Sequence, residues 1–402
     1  MHRSSCADCR VKTPGKGKGM QEDFHYYGTY CAAYLAGYSH EESLAVAYSA
    51  QMVDLCSATF LKELDAPESA ATTQMQMEMM NVNTDPIGLQ LITRIWASFH
   101  FLPYDLSASV RGSARYRQKY RLICKPNGTL VEETVNLAKD KGYEAAGLAM
   151  HVLADTWAHR NFAGTPSLVI NNINDYCFEL MEDGSERKVN FRHSVSVPDD
   201  LKKGLYTNTV YYAGENTVMN LGHGRAGHLP DYSFMRYRYL PAWDGYNECI
   251  KDNPSDYWQA FCQMIKALQY LHGDAEVFEK DTYANETAEP YREEIMAFLQ
   301  KRQKNACEDW KAFGEKLTGR EIPPFSIHTH VDEYVGATDK DSTYLGRFFL
   351  AAMAQKSLVT NRIFTSGSLL AGFSIDYHKK GFQGIRDYAV LVKKYLEAVV
   401  KK

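Results

Sequence analysis

The stretch His151 to His159, reading HVLADTWAH, repeats a metal-competent side chain at every fourth position among apolar neighbours. At roughly 100° per residue, an α-helix brings His151, Asp155 and His159 onto one face within about 80° of arc. Leu148, Val152, Leu153 and Trp157 surround that face. A carboxylate in such a setting is costly unless a partner or a metal ion satisfies it. The chain must therefore either turn two imidazoles and a carboxylate into its interior or leave them as a polar stripe on a half-buried helix.

The rest of the composition permits a large core. Of 402 residues, 45% are hydrophobic and 23% charged, as in ordinary globular proteins. A net charge of −4 argues against a general polyanion-coating protein. Nine cysteines at irregular spacing make no disulfide framework and fit a reducing compartment, so a cytoplasmic location is expected. Cys6 and Cys9 stand without a second CxxC in a head rich in Gly and Lys. Residues 1–19 therefore read as a disordered extension or a misassigned start before Met20. No apolar run is long enough for a transmembrane segment, and the head lacks the apolar stretch of a secretory signal.

Helical spacing runs from Asp23 to a stop at Gly37, and Ser39 with Glu42 forms a capping box that opens a second helix to about Leu64. These two helices form a hairpin carrying His25 and Asp54. The apolar segment Pro86 to Pro103 ends in SFHFLP, with His100 between two phenylalanines. The methionine cluster QMQMEMM reads as flexible packing. Residues 111–121, RGSARYRQKYR, read as a solvated strand face, although the composition also suits phosphates or stacked bases. A helix from Leu130 to Asp140 precedes the central one.

After Gly164 the pattern becomes irregular, and SERKVNFRHSVSV suggests a hairpin. This part closes on NLGHGRAGHLPDYSF, where His223, His228 and Asp231 lie among glycines that let a backbone approach a ligand. Helices are expected at about Asp256–His272, Pro290–Leu317, Thr343–Phe364 and Gln383–Val400. His328 and His330 fall in a loop outside the main constellation. The expectation is a mainly α fold: a single large helical domain over residues 20–402, with an irregular or small β insertion at about 160–230.

His25, Asp54, His100, His151, Asp155, His159, His228 and Asp231 together form an imidazole and carboxylate set suited to zinc, with manganese, iron or nickel also compatible. The set exceeds the needs of one tetrahedral ion. It suits two or three ions sharing a bridging carboxylate, for which Asp155 is the natural choice. Such a cluster lowers the pKa of bound water and clamps the oxygens of a phosphodiester.

The stretches DFHYY, SFHFLP, HVLADTWAHRNFAG and GHGRAGHLPD resemble the signatures of an uncharacterised bacterial family, a domain of unknown function covering most of the chain from Met20. More distantly, their order is similar to that of the all-helical superfamily of zinc-dependent phospholipase C and zinc-dependent single-strand nucleases. That resemblance implies a trinuclear zinc hydrolase of phosphate esters, with its ligands at His25, Asp54, His100, His151, Asp155, His159, His228 and Asp231. The superfamily also uses an N-terminal amine, a role for which Asp23 is the candidate here. Its final pair is spaced by four, whereas His228 and Asp231 are three apart, which makes His223 the alternative ligand with Asp231 behind it.

The expected activity is a phosphodiesterase or phosphomonoesterase. Metal-bound hydroxide would be the nucleophile, Asp155 the bridge, and Asp54 an auxiliary ligand or general base. The substrate would be a phospholipid head group, single-stranded nucleic acid or a nucleotide. The competing expectation is a non-catalytic helical scaffold with a structural metal cluster. No adjacent His-Asp pair, G-x-S-x-G elbow or P-loop occurs, and Glu22 to His25 alone fits the Glu-x-x-His spacing of di-iron bundles.

Overall fold

The computed structural model describes residues 22–80, 86–173, 176–192, 197–208, 218–274 and 276–368. The expectations for residues 1–19 and for a helix over Gln383–Val400 lie outside the described residues. The helices that frame the molecule are α1 (Thr29–Leu35), α2 (His40–Met52), α3 (Ala58–Glu63), α4 (Pro86–Phe99), α5 (Ala114–Tyr120), α6 (Thr129–Ala138), α7 (Tyr143–Ala158), α8 (Asn253–His272), α9 (Arg292–Gln300), α10 (Cys307–Thr318) and α11 (Tyr344–Thr365). The fold is mainly α.

Helix α7 is the axis. Every residue from Glu144 to Ala158 is buried, as expected of a helix apolar on nearly all sides. It packs against α2, α6, α8 and α11. Its approach to α2 is set by Gly147, where an added Cβ would lie 2.1 Å from the Val46 carbonyl oxygen. Ser49 Oγ, donating to the Glu144 carbonyl at 2.5 Å, fixes the same crossing. Two helices can come this close only where one side chain is missing.

Ahead of α1, residues Asp23–Gly28 wind as a π-helical turn, the wider form that often accompanies functional sites. Its side chains are buried throughout. The turn between α1 and α2 passes through Gly37 at φ +102, and the capping box of Ser39 and Glu42 opens α2 as expected.

The second helix does not continue to Leu64. It stops at Met52, because Thr72 draws the next carbonyls out of helical register: its hydroxyl donates to Val53 O at 2.6 Å and its amide to Cys56 O at 2.9 Å. Ser57 then caps α3 by accepting from the Phe60 amide. Asp54 sits in that break. The basic and aromatic stretch at 111–121 is likewise helical rather than extended, since Ser113 caps α5 by accepting from the Tyr116 amide. The helix expected over Pro290–Leu317 is interrupted between α9 and α10, where the Ala306 amide bonds Asp23 from the other end of the chain.

The irregular part extends from about residue 160 to Asp252, further than the sequence pattern suggests. Strands β1 (Cys177–Leu180), β2 (Glu186–Lys188), β5 (Arg236–Tyr239) and β6 (Cys249–Asp252) form an antiparallel sheet in the order β2-β1-β5-β6. In it, Phe178 faces Lys188 on one side and Arg238 on the other. Strands β3 (Asn190–Arg192) and β4 (Leu205–Thr207) pair in parallel. The sheet has its own small core around Phe162, Tyr206, Met235, Tyr237 and Tyr239. Buried Glu179 accepts from Arg187 at 2.6 Å and from Arg302, tying β1 to the segment between α9 and α10. No helix among the described residues is long and apolar enough to cross a membrane.

Candidate metal centre

Helix α7 turns its polar stripe toward the residues just after α2 and just after α4. His100, one residue past α4, places Nδ1 3.0 Å from Asp155 Oδ2 and 3.3 Å from His151 Nε2. His151 Nε2 lies 3.2 Å from the same Asp155 oxygen. Asp54 Oδ1 closes the group at 3.8 Å from His100 Nδ1 and 3.9 Å from His151 Nε2. A tetrahedral ion with bonds of ~2.0–2.1 Å spaces its ligand atoms about 3.3 Å apart, close to the separations among His100, His151 and Asp155, with Asp54 slightly further out. On the other oxygen of Asp155, His25 Nε2 approaches to 3.2 Å, its ring stacked on that of His151 at 3.8 Å between centroids.

A second cluster lies at the far end of α7. His159 Nε2 is 3.7 Å from Asp231 Oδ1, and His223 Nε2 is 3.5 Å from that oxygen. Phe101 stacks on the His159 ring at 4.6 Å. The two clusters meet where His159 Nδ1 lies 3.5 Å from Asp155 Oδ2. Three groups thus have ligand atoms close enough to hold an ion: His25, His151 and Asp155; Asp54, His100 and His151; and His159, His223 and Asp231.

The hydrogen-bond partners outside the clusters fix what the inner atoms are. His151 Nδ1 donates to Ala50 O at 2.9 Å, His100 Nε2 to Thr72 O at 3.1 Å, His159 Nδ1 to His100 O at 2.7 Å and His223 Nδ1 to Gly227 O at 2.7 Å. A carbonyl oxygen only accepts, so each of these ring nitrogens carries the hydrogen, and in the neutral ring the inner nitrogen is a lone pair. Lone pairs then face carboxylate oxygens without a hydrogen to share. Asp155 Oδ1, His159 Nε2 and Asp231 Oδ1 are buried and have no hydrogen-bond partner, and neither ring nitrogen of buried His25 has one. A cation is the simplest occupant for a pocket made of acceptors.

Titration follows the same geometry. Burial pushes the His151 imidazole down to about 3 and also lowers His25 and His223 below their ordinary values, keeping them neutral. His159 is the exception: burial favours the neutral ring, but Asp155 and Asp231 outweigh it and raise the imidazole, so without an ion its Nε2 favours a hydrogen toward Asp231, which an ion would displace. Burial alone would raise Asp155; His159, His151 and His100 overcome it and hold the carboxyl well below the usual carboxylate range. Asp231 is held low in the same way by His223, His159 and His228. Asp54 is raised well above the ordinary value by burial and by the negative charges of Asp155 and Asp231. Among these side chains His25 and His151 have no exposure, whereas Asp54 retains 12%, so Asp54 marks the open side of the helical cluster.

The eight residues singled out from the sequence converge on this region. Their roles divide differently from the expected order. His228 donates from Nδ1 to Asp231 Oδ2 at 3.0 Å and so orients the carboxylate from behind, while His223 enters the cluster beside Asp231. Asp23 stands apart: Oδ1 accepts the Phe24 amide at 2.8 Å and Oδ2 the Ala306 amide at 2.7 Å, and burial raises its carboxyl to about 6. It locks the π-helical turn under His25. His330 stacks on Tyr344 at 4.0 Å, outside the centre. What the sequence did not reveal is the carbonyl set of Ala50, Thr72, His100 and Gly227, because a backbone oxygen carries no residue signature. Gln51, whose Nε2 lies 3.5 Å from Asp54 Oδ2, was also missed.

The chain belongs to a family of unknown function (DUF6765), which matches it over residues 20–363. No curated protein and no solved structure matches it.

Proposed function

We propose that the protein is a metal-dependent hydrolase of phosphate esters that holds two or three divalent ions, zinc foremost, on Asp155 and the histidines around it. The observation that carries this reading is the ring of buried lone pairs around Asp155 and Asp231, with the outer nitrogens of four histidines committed to backbone carbonyls. The order of the ligands along the chain, similar to that of the zinc-dependent phospholipase C and nuclease superfamily, supports the same reading. Ions held there would supply Lewis acidity and a water activated near neutral pH.

The residues divide the work. Asp155 offers one oxygen to His25 and the other to His100 and His151, so it can bridge two ions. Asp54, at the open side, is placed to hold an ion; only with an ion offsetting the charges that raise its carboxyl would it be ionised and able to receive a proton from the attacking water. His159, His223 and Asp231 give three ligands, which leaves a coordination position for a phosphate oxygen. The substrates in view are phospholipid head groups, single-stranded nucleic acid and nucleotides.

One observation favours the scaffold alternative. His100 and His151 stand between Asp54 and Asp155, so that these four together could approach the closed number of a structural zinc site. Hydrolysis of bis-p-nitrophenyl phosphate by the purified protein, with and without chelator, separates the two. The hydrolase requires turnover that chelation abolishes and added zinc restores. Retained metal with no turnover on any phosphate ester would leave the scaffold.

A further inference from the structure

A cavity of about 280 Å³ lies between α6, α7 and α11, close to the lower end of ordinary ligand pockets at ~300 Å³. Its walls are Leu137, Ala145, Leu148, Ala149, Leu350 and Ala351. Alanines stand where three packed helices would ordinarily interlock larger side chains, and the missing volume is left as a half-open slot. Leu350 at its mouth is 44% exposed, a large apolar side chain facing solvent without a covering partner among the described residues. At the inner end, Gln355 spends both amide hydrogens on Ser98 O at 3.1 Å and Thr134 Oγ1 at 2.9 Å.

Two cations stand on the rim, Lys141 and Arg347. They differ in state. Arg347 is committed to buried Glu144, with Nη2 2.6 Å from Oε1, so its charge is compensated. Lys141 is exposed and its ammonium has no ion-pair or hydrogen-bond partner among the described residues. The slot therefore pairs an apolar interior with one uncompensated positive charge at its edge. An apolar cavity of this kind takes apolar ligands readily, and a charged rim selects the head group.

We propose that this slot binds a single-chain amphiphile of the fatty-acid class, with the alkyl chain between α6, α7 and α11 and the carboxylate at Lys141 Nζ. The site is separate from the metal centre and does not depend on the hydrolase reading. Charge complementarity distinguishes this occupant from a neutral alcohol or an apolar side chain of another protein.

The test is calorimetric titration of the full chain with sodium decanoate below its micelle concentration, and in parallel with 1-decanol. The expected result is saturable binding of one decanoate per chain. Ala354→Phe, at an exposed position on the edge of the slot, should weaken decanoate and decanol alike by roughly tenfold or more through loss of buried apolar area. Lys141→Glu should weaken decanoate by about threefold to fivefold, the scale of an exposed ion pair, and leave decanol unchanged. Should Ala354→Phe fail to fold by circular dichroism, Leu350→Gln at the exposed mouth takes its place. Non-saturable uptake, or equal binding by wild type and the filled variant, overturns the proposal. So does a concentration-dependent dimer that Leu350→Glu dissolves, because the slot would then be an interface.

Discussion

The two ends of α7 hold the same kinds of ligand by different means. At the helical end, His25, Asp54, His100 and His151 come from elements packed directly on α7, and their contacts with Asp155 and with one another fall between 3.0 and 3.9 Å. At the loop end, Asp231 Oδ1, from an irregular segment, is met by His223 of the same segment at 3.5 Å and by His159 at 3.7 Å. That segment owes its path to glycines. Gly222 has φ +53 and Gly227 has φ +58, and a Cβ on the latter would lie 1.9 Å from Thr207 O. A helix packing error spreads through the core, whereas a turn error stays in the turn. The helical end is thus part of the stability of the molecule, and the loop end is an attachment to it.

The sharpest break in this comparison is Asp155→Asn. On the proposed reading, an amide in place of the bridging carboxylate removes the charge that two ions would share at the helical end, and activity should fall on the order of a thousandfold with the circular dichroism spectrum unchanged. Activity that survives would place the chemistry at the loop end alone.

Two glycine substitutions then set the ends against each other. Gly147→Ala puts a Cβ 2.1 Å from Val46 O and should lower the stability of the whole chain by about 1–3 kcal/mol in urea unfolding. Gly222→Ala drives a Cβ to 2.2 Å from Phe101 Cζ, the ring stacked on His159, and should cost the loop end its ion while the helical end keeps its own. Metal content and hydrogen exchange read out the pair. Identical global losses in both variants would erase the distinction.

His228→Ala is the gentler probe of the loop end. Removing the group that orients Asp231 from behind should weaken metal affinity there by roughly 10–100-fold and leave the unfolding midpoint of the metal-free protein nearly unchanged. The last probe belongs to the helical body and reads pH dependence rather than metal. Burial pushes the Lys356 amine down to about 7, and its Nζ donates to Ser69 O at 2.7 Å. An unfolded lysine titrates near ~10.4, so from about pH 7 to about pH 10 the unfolded chain binds the extra proton and stability rises with pH. The slope is at most about 1.4 kcal/mol per pH unit. Lys356→Met should flatten it, and an unchanged slope would assign the pH dependence to other groups.

This contrast also explains what could be read from the sequence. The spacing of His151, Asp155 and His159 follows from helix geometry, and so does the capping box at Ser39 and Glu42, which the structure shows in place. The break at Asp54 was not legible because the cause, Thr72, lies outside the helix it interrupts. His223 was already the alternative ligand at the loop end, but that His228 rather than Asp231 stands behind was hidden for a similar reason. Along a helix, spacing gives direction; through a turn with residues at positive φ it does not, and Asp231 finds one histidine at its front oxygen and another behind. The strands beyond about residue 230 were missed because β5 and β6 are short, and β5, on which β6 pairs, finds its other partner in β1, distant in sequence.

In the proposed function, the buried acceptors along α7 enclose cations. Elemental analysis of the purified, untagged protein by inductively coupled plasma mass spectrometry tests it most directly, with Asp155→Asn alongside. Two or three equivalents of a divalent transition metal in the wild type, falling in Asp155→Asn, is the predicted result. A folded wild-type protein that holds no such metal, and takes up none from zinc-containing buffer at neutral pH, would contradict the account.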